Sequence, residues 1–251
     1  MADNFNRYAE YYNLIYDSKN YSKEADFIDA IIKKNKPTSK TICDLGCGTG
    51  KYSICLESKG YSVLGIDLSE DMIRIAKNNE QKNLKFLEGN IINFSLKETF
   101  DVIVAMFDVV SYINSNDDFI RMLNSVREHL NEEGIFIFDF WYGPGVLTNL
   151  PETRYKEFKN DNIFIKRISK PMVEYSTNIV DVEFNLFVFD KNNKFIEHIN
   201  EIHKMRYFFK NELEYLIKTV FPNSAIEYTN WENNPEIETP WHTISIIKTN
   251  R

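Results

Sequence analysis

From Thr41 onward, short apolar runs alternate with stretches in which apolar residues recur every three or four positions. The runs TICDL (41–45), SVLGID (62–67), LKFLEG (84–89), FDVIVAM (100–106) and IFIFDFW (135–141) have the length and continuity of buried strands. Between them, Lys51 to Lys59 reads as a helix that stops near Gly60. Ser69 is placed to N-cap a second helix through Asn79, with Glu70 and Asp71 in its first turn, where the helix dipole favours acids. Residues 115–134 set Phe119, Leu123, Val126 and Leu130 on one helical face. Strands separated by helices predict a parallel sheet with right-handed crossovers and a ligand site outside the carboxyl ends of its strands.

Two regions break this alternation. The first 36 residues read as helical, with a stripe of Tyr8, Tyr11, Tyr12, Ile15 and Tyr16 followed by a second helix carrying Phe27, Ile28, Ile31 and Ile32. From Arg154 to Phe208 the chain is β-rich without helices, and the turn Asp190–Lys194 predicts a hairpin, hence antiparallel pairing. A helix over Lys210–Phe221 and strands within 224–231 and 241–249 complete the chain. The expected organisation is an N-terminal helical lid (1–36), a core made of 37–150 and 209–251, and an inserted antiparallel auxiliary sheet (151–208).

Composition narrows the classes. With 251 residues, 43% of them apolar, the chain can bury a full core. A net charge of -7 and the lack of any basic run argue against a nucleic-acid partner. No apolar stretch approaches membrane-spanning length, and the first residues have neither the basic nor the apolar segment of a signal peptide, so a cytoplasmic protein with no membrane partner is expected. Cys43, Cys47 and Cys55 crowd one region without a Cys-x-x-Cys pair, which predicts small buried thiols rather than a metal site.

The candidate chemistry starts at Asp44, Gly46, Cys47, Gly48 and Gly50, a glycine loop between the first strand and its helix. Such a loop lets backbone approach a ligand, and the helix N-terminus behind it favours an anionic group. A dinucleotide fingerprint has the spacing G-x-G-x-x-G; here it is G-x-G-x-G with a carboxylate at the entrance. A carboxylate repels phosphates but suits an ammonium, so S-adenosyl-L-methionine, which carries an amino-acid end and a sulfonium, fits better than a dinucleotide. Asp67 ends the second strand where a carboxylate can accept ribose hydroxyls, with Leu68 and Met72 available to cover the adenine. Gly89, Asn90 and Ile91 follow the third strand, with Asn90 placed for the adenine amino group, and Met106 ends the fourth.

The stretch Asp44–Asn79 resembles the N-terminal half of class I S-adenosylmethionine-dependent methyltransferases, and the similarity in pattern spans about residues 40–140. The resemblance implies an α/β fold with a Rossmann-like seven-stranded sheet of order 3-2-1-4-5-7-6 and an antiparallel last strand, with S-adenosylhomocysteine as product. YYNLIYDSKNYSKEA, AMFDVVSYI and FDFWYGP further resemble the nucleotide-linked amino-sugar N,N-dimethyltransferases, in which an auxiliary sheet covers the acceptor site and contributes to a dimer. Two departures stand out: Ser111-Tyr112 where several of those enzymes carry Gly-His, and Asn90 where an acid is usual.

Methyl transfer is an in-line displacement that needs the nucleophile held opposite sulfur in a dry pocket. An amine needs only to be neutral, whereas a hydroxyl wants a positioned base. No His–Asp pair is visible near the strand ends, which favours an amine. Tyr12 and Tyr16 share a helical face, Tyr12 toward the acceptor and Tyr16 toward the donor's carboxylate, with core packing as the alternative. Tyr112 and Asp108 are the other catalytic candidates. Phe107, Trp141 and Tyr142 are candidates for the acceptor wall; Asp108 and Asp139 for partners of the acceptor's ammonium or hydroxyl, with a structural cap as the alternative for Asp139; and Arg154, Lys166 and Arg167 for a diphosphate, with surface charges as the alternative. His198 and His203 lie five apart in a strand, face opposite sides and are expected to be structural or surface residues. The reading is a methyltransferase of a small polar metabolite, a nucleotide-linked amino sugar first, acting as a monomer or homodimer. An O-methyltransferase and a non-catalytic module that binds the donor are the alternatives.

Overall fold

Each apolar run after Thr41 becomes a strand, and each amphipathic stretch a helix laid on the resulting sheet. The computed structural model describes residues 8–234 and 236–249; the part of the expected lid before Tyr8 lies outside the described residues. Helices α1 (Tyr8–Ile15) and α2 (Tyr21–Asn35) precede β1 (Thr41–Leu45), α3 (Lys51–Glu57), β2 (Ser62–Asp67), α4 (Glu70–Ala76), β3 (Leu84–Glu88), β4 (Phe100–Ala105), α5 (Asn116–His129) and β5 (Leu130–Tyr142). There follow α6 (Gly143–Thr148), β6 (Arg154–Lys159), β7 (Ile163–Glu174), β8 (Ile179–Asp190), β9 (Phe195–Phe208), α7 (Lys210–Val220), β10 (Ala225–Thr229) and β11 (His242–Lys248). Side-chain caps begin three of the helices: Asn20 accepts from Lys23 N–H at 2.9 Å, Ser69 from Met72 N–H at 3.3 Å and Ser115 from Asp118 N–H at 3.1 Å. α3 stops two residues earlier than expected, and α6 is a helix that the sequence pattern does not announce.

The strand order is β3-β2-β1-β4-β5, all parallel, continued by β11 antiparallel on β5 and β10 on β11. Counting only these seven strands gives 3-2-1-4-5-7-6 with an antiparallel last strand, as expected. Strands β9-β8-β7-β6 form an antiparallel run. The two parts join where Trp141 and Tyr142 of β5 pair in parallel with Tyr207 and Phe208 of β9. β4 accompanies β5 only as far as Ala105↔Phe138, while β11 holds the other edge of β5 as far as Trp141. β9 therefore takes over the edge that β4 leaves, and the chain between them, residues 106–112, is splayed at a fork in the sheet.

Alternation along β5 sends Phe136, Phe138 and Phe140 to a core shared with α5 and α7, and Ile135 and Ile137 to one shared with α2 and α3. α1 packs elsewhere: Tyr8, Tyr11 and Ile15 share a core with Ile165, Leu186, Val188 and Ile199 of the antiparallel sheet. Its register is fixed by apolar burial on that sheet rather than on the central one. Cys43 and Cys47 are buried, but Cys55 is only half-buried, so it departs from the expectation of three buried thiols. Among the described residues no helix is long and apolar enough to cross a membrane, and no cluster of three or more His, Cys, Asp or Glu is placed to hold a metal ion.

Candidate active site

The loop after β1 is held by backbone geometry. Gly46 adopts φ 70°, and a Cβ there would lie 2.5 Å from Val109, so both conformation and space call for glycine. Gly46 and Cys47 N–H donate to the Ile66 carbonyl at 2.7 and 3.0 Å, which ties the loop to β2. Gly48 N–H donates to Asp67 Oδ2 at 2.8 Å, and Ser69 N–H to Asp67 Oδ1 at 2.9 Å. Burial raises the Asp67 pKa against these N–H donors, which favour its charge. A carboxylate offers about four acceptor positions, so Asp67 keeps room for a ligand hydroxyl after serving the loop.

Gly46, Gly48, Asp67, Leu68, Met72, Asn90, Ile91 and Met106 border one end of a cavity of about 760 Å³. That volume lies within the roughly 300–1,000 Å³ usual for small-molecule sites. Asn90 Oδ1 accepts from Ile92 N–H at 3.0 Å, an Asx turn that fixes the side chain while leaving its amide N–H groups for a ligand. The cradle at Gly46, the carboxylate of Asp67 and the adjoining apolar Leu68 and Met72 fit S-adenosylmethionine.

Several expected residues stand back from this wall. Asp44 is 2% exposed, accepts a 2.5 Å hydrogen bond from the Ser53 hydroxyl and does not border the cavity; direct contact with an ammonium is not what its position offers. Its pKa is raised to about 7 by burial. The Cys47 thiol turns back toward β2, close to Gly65. Gly50 is pressed by the Phe86 ring, and Gly89 by Ile66. Tyr142 departs from the acceptor-wall expectation for a simple reason: neighbours on a strand point to opposite faces. Trp141 borders the cavity, whereas Tyr142 packs near Phe140 and Lys210.

At the fork, Phe107 and Asp108 have φ of 70° and 62°, two successive non-glycine residues in the left-handed region. Such backbone persists only where the surroundings impose it. Here Asp108 N–H donates to Asp139 Oδ1 at 2.8 Å, and Asp108 Oδ1 is 2.8 Å from His242 Nδ1. Asp139 is thus buried behind Asp108 rather than in the cavity wall, and burial with repulsion from Asp108 raises its pKa to about 8. Although burial opposes its charge, Asp108 raises the His242 pKa to about 9. Sequence reading finds no His–Asp pair; the structure builds one from residues 134 apart. The signal was available: an antiparallel strand beside parallel ones starts at their carboxyl edge, and His242 opens β11 opposite Trp141.

The remaining wall comes from α1 and the antiparallel sheet. Tyr12 and Tyr16 lie 4.6 Å apart between ring centroids, and Tyr16 meets Phe107 edge-on at 5.2 Å; all three border the cavity. Tyr112 Oη is 2.8 Å from Nδ1 of His203, which is buried and also borders the cavity, against its expected structural or surface role. His198 does face away, stacked on Phe187 at 4.5 Å. Arg154 and Arg167 both border the cavity, joined by Lys156 and Trp241, which sequence reading missed. Arg167 is 9% exposed, donates to the Tyr8 hydroxyl at 3.2 Å and meets no carboxylate among the described residues; its Nε and the Trp141 Nε1 lack hydrogen-bond partners there.

Comparisons with known proteins agree with this geometry. Residues 36–211 match the family described as a methyltransferase domain. The chain is 29% identical over 214 residues to "Putative methyltransferase YqeM" of Bacillus subtilis, covering 84% of this chain and 83% of that protein. It is 25% identical over 209 residues to the dTDP-3-amino-3,4,6-trideoxy-alpha-D-glucopyranose N,N-dimethyltransferase of Streptomyces venezuelae, covering 82% and 86%. Among solved structures, an S-adenosylmethionine-dependent methyltransferase from Clostridium acetobutylicum matches with TM-score 0.80 at 24% identity, covering 98% of this chain and 99% of that one. Streptomyces venezuelae DesVI matches with TM-score 0.80 at 21% identity, covering 96% and 98%.

Proposed function

The chain belongs to the methyltransferase domain family and is an S-adenosylmethionine-dependent methyltransferase, and from that premise we propose that it methylates the amine of a nucleotide-linked amino sugar. One observation carries the choice of acceptor. The cavity is lined both by the glycine loop and by Arg154, Lys156 and Arg167, and the buried Arg167 has no acidic partner among the described residues. A cationic stretch of the cavity wall suits a diphosphate, and Arg is the side chain best shaped to grip one. Relatives named as dTDP-amino-sugar N,N-dimethyltransferases support the same class.

When bound, S-adenosylmethionine supplies an electrophilic methyl group. In our reading Gly46 and Gly48 offer close backbone approach, Asp67 takes the ribose hydroxyls, Leu68, Met72, Asn90 and Ile91 enclose the adenine, and Met106 and Tyr16 hold the amino-acid end. Asp44, neutral or charged behind the loop, sets the local field rather than touching the ligand. Tyr12, Phe107 and Trp141 shape the acceptor pocket, and the unpartnered Trp141 N–H is a donor for a sugar oxygen. Asp108 orients the amine by accepting a hydrogen bond from it. α1 and the antiparallel sheet serve as the lid and outer wall that exclude water.

The His242–Asp108 pair supports a second reading, because a hydroxyl acceptor requires a base and the imidazole becomes one as it loses its proton near pH 9. Incubation with labelled donor and a panel of nucleotide-linked amino sugars and their deamino analogues, read by mass spectrometry, separates the two. Methyl groups on nitrogen are expected; methylation of oxygen with the amine untouched would sink the first reading.

A further inference from the structure

Besides the Asp108–His242 pair, a second chain of titratable groups reaches the cavity from the antiparallel sheet. Tyr112 Oη lies 2.8 Å from His203 Nδ1, and His203 Nε2 lies 3.0 Å from Glu201 Oε2. Glu201 and His203 are two apart on β9 and so share a face. Their side chains are 8% and 2% exposed, while Tyr112 and His203 border the cavity and Glu201 stands behind them.

The hydrogen-bonding roles follow from the acid at the far end. An ionised carboxylate only accepts, so His203 Nε2 carries the proton given to Glu201. In the neutral ring that leaves Nδ1 as the acceptor, to which Tyr112 donates its O–H. This is the order of a nucleophile–histidine–carboxylate relay with a phenol in the first place. The ring of His203 is also fenced in: Phe184 meets it edge-on at 4.9 Å and Tyr8 lies 5.9 Å away. Burying an imidazole–carboxylate pair against aromatic rings contributes little to stability compared with apolar residues of like size. Burial also holds the Tyr112 phenol well above its ordinary range, so no standing phenolate forms.

We propose that Tyr112, His203 and Glu201 form a proton relay for the methyl acceptor, with Tyr112 as the catalytic residue and His203 and Glu201 as positioning residues behind it. The acceptor's N–H or O–H proton passes to Tyr112 Oη while the Tyr112 proton passes to His203 Nδ1. The acceptor nitrogen or oxygen forms its bond to the methyl carbon, and the electron pair of the broken S–CH3 bond stays on sulfur. The proton ends on His203 as an imidazolium facing Glu201, and returns through Tyr112 to solvent once product leaves. A histidine thus serves the acceptor although the chain carries Ser111-Tyr112 at the strand end. The inference rests on the acceptor entering this cavity, and it holds for an amine or a hydroxyl.

Two measurements test it. The first needs no acceptor: long-range proton–nitrogen spectra of protein labelled on histidine nitrogen, with His203 assigned by its loss in His203→Asn or its shift in Tyr112→Phe. A proton on Nε2 and none on Nδ1 is expected; a protonated Nδ1 would overturn the relay. The second is kinetic, with whichever acceptor the product panel identifies. Tyr112→Phe and His203→Asn are each expected to lower kcat about 100-fold, and Glu201→Gln about 10-fold, with KM for the methyl donor little changed. The double variant Tyr112→Phe/His203→Asn should fall no further than the worse single one. Unchanged kcat in any single variant, or losses that multiply, would refute the shared path. Should the amino-sugar reading fail, the spectrum still decides the relay.

Discussion

The two ends of the cavity are built in opposite ways. In the part of the wall that we assign to the donor the partners are close in sequence and largely backbone: Gly48 and Asp67 are 19 residues apart. In the part that we assign to the acceptor they are side chains brought together from afar, with Tyr112 and His203 91 residues apart and Asp108 and His242 134 apart. A donor site made of a loop and two strand ends is inherited with the sheet itself. An acceptor site made of α1, β6, β7, β9 and β11 depends on how the antiparallel run meets β5, and it can change while the sheet stays the same. The difference predicts that substitutions at one end leave ligand binding at the other nearly intact.

The strongest break of that division is sought at Asp67. Asp67→Ala removes a charged acceptor and strands the Gly48 and Ser69 N–H groups. Affinity for S-adenosylhomocysteine, measured by calorimetry, is expected to fall on the order of 100-fold, about 3 kcal/mol. A value unchanged from wild type would remove Asp67 from the donor site. At the other end, Arg167→Met keeps much of the packing under Phe158 and Phe184 but deletes the cation. KM for a nucleotide-linked acceptor should rise roughly 30-fold, about 2 kcal/mol, while S-adenosylhomocysteine binding stays as in wild type. Equal losses of both ligands would mean that the ends are not separate.

The same contrast decides what could be read in advance. The sheet order, and the placing of the glycine loop, Asp67 and Asn90 beside one cavity, are legible because strand, loop and helix follow one another within about 50 residues and the periodicity marks each boundary. The pair at His242 was not, because no local pattern tells where β11 will begin relative to β5. His203 is expected to be a structural or surface residue because parity along β9 gives two faces without saying which one meets the cavity. Only the pairing of Tyr207 and Phe208 with Trp141 and Tyr142 decides that. Asp44 misled in the other direction. Its place in the loop motif was plain, but Ser53 one turn into α3 captures its carboxyl, and that hydrogen bond depends on the fold of the turn. Tyr142 was an avoidable error, since β-strand alternation alone separates it from Trp141.

A last comparison is how the two ends titrate, and its smallest expected effect is at His242. His242 has its pKa raised from 6.5 to about 9, chiefly by Asp108 against the opposing cost of burial. The stability gained from a raised pKa is full below the unfolded value and lost as pH climbs through the folded one. The gap in Tm between wild type and His242→Gln should therefore be widest below about pH 6.5 and close by about pH 9. The imidazole is partly open to solvent, so screening limits the pair to under about 1 kcal/mol, a few degrees at most. Asp44 at the donor end has a different window. Its carboxyl is raised by burial from 3.8 to about 7, so its contribution is full below about pH 4 and gone above about pH 7. Asp44→Asn is neutral at every pH and keeps an acceptor for Ser53, so its stability relative to wild type should rise across pH 4 to 7 and then level off. Asp139, behind Asp108, is raised to about 8 by burial first and Asp108 second, and Asp139→Asn should gain on wild type up to that pH. Thermal melts of the three variants from pH 4 to 10 should show the Asp44 and Asp139 windows opening together near pH 4 and closing near pH 7 and pH 8, and the His242 window running from about pH 6.5 to about pH 9. A single shared window would show that the charges of the two ends are coupled through the cavity rather than set by their own surroundings.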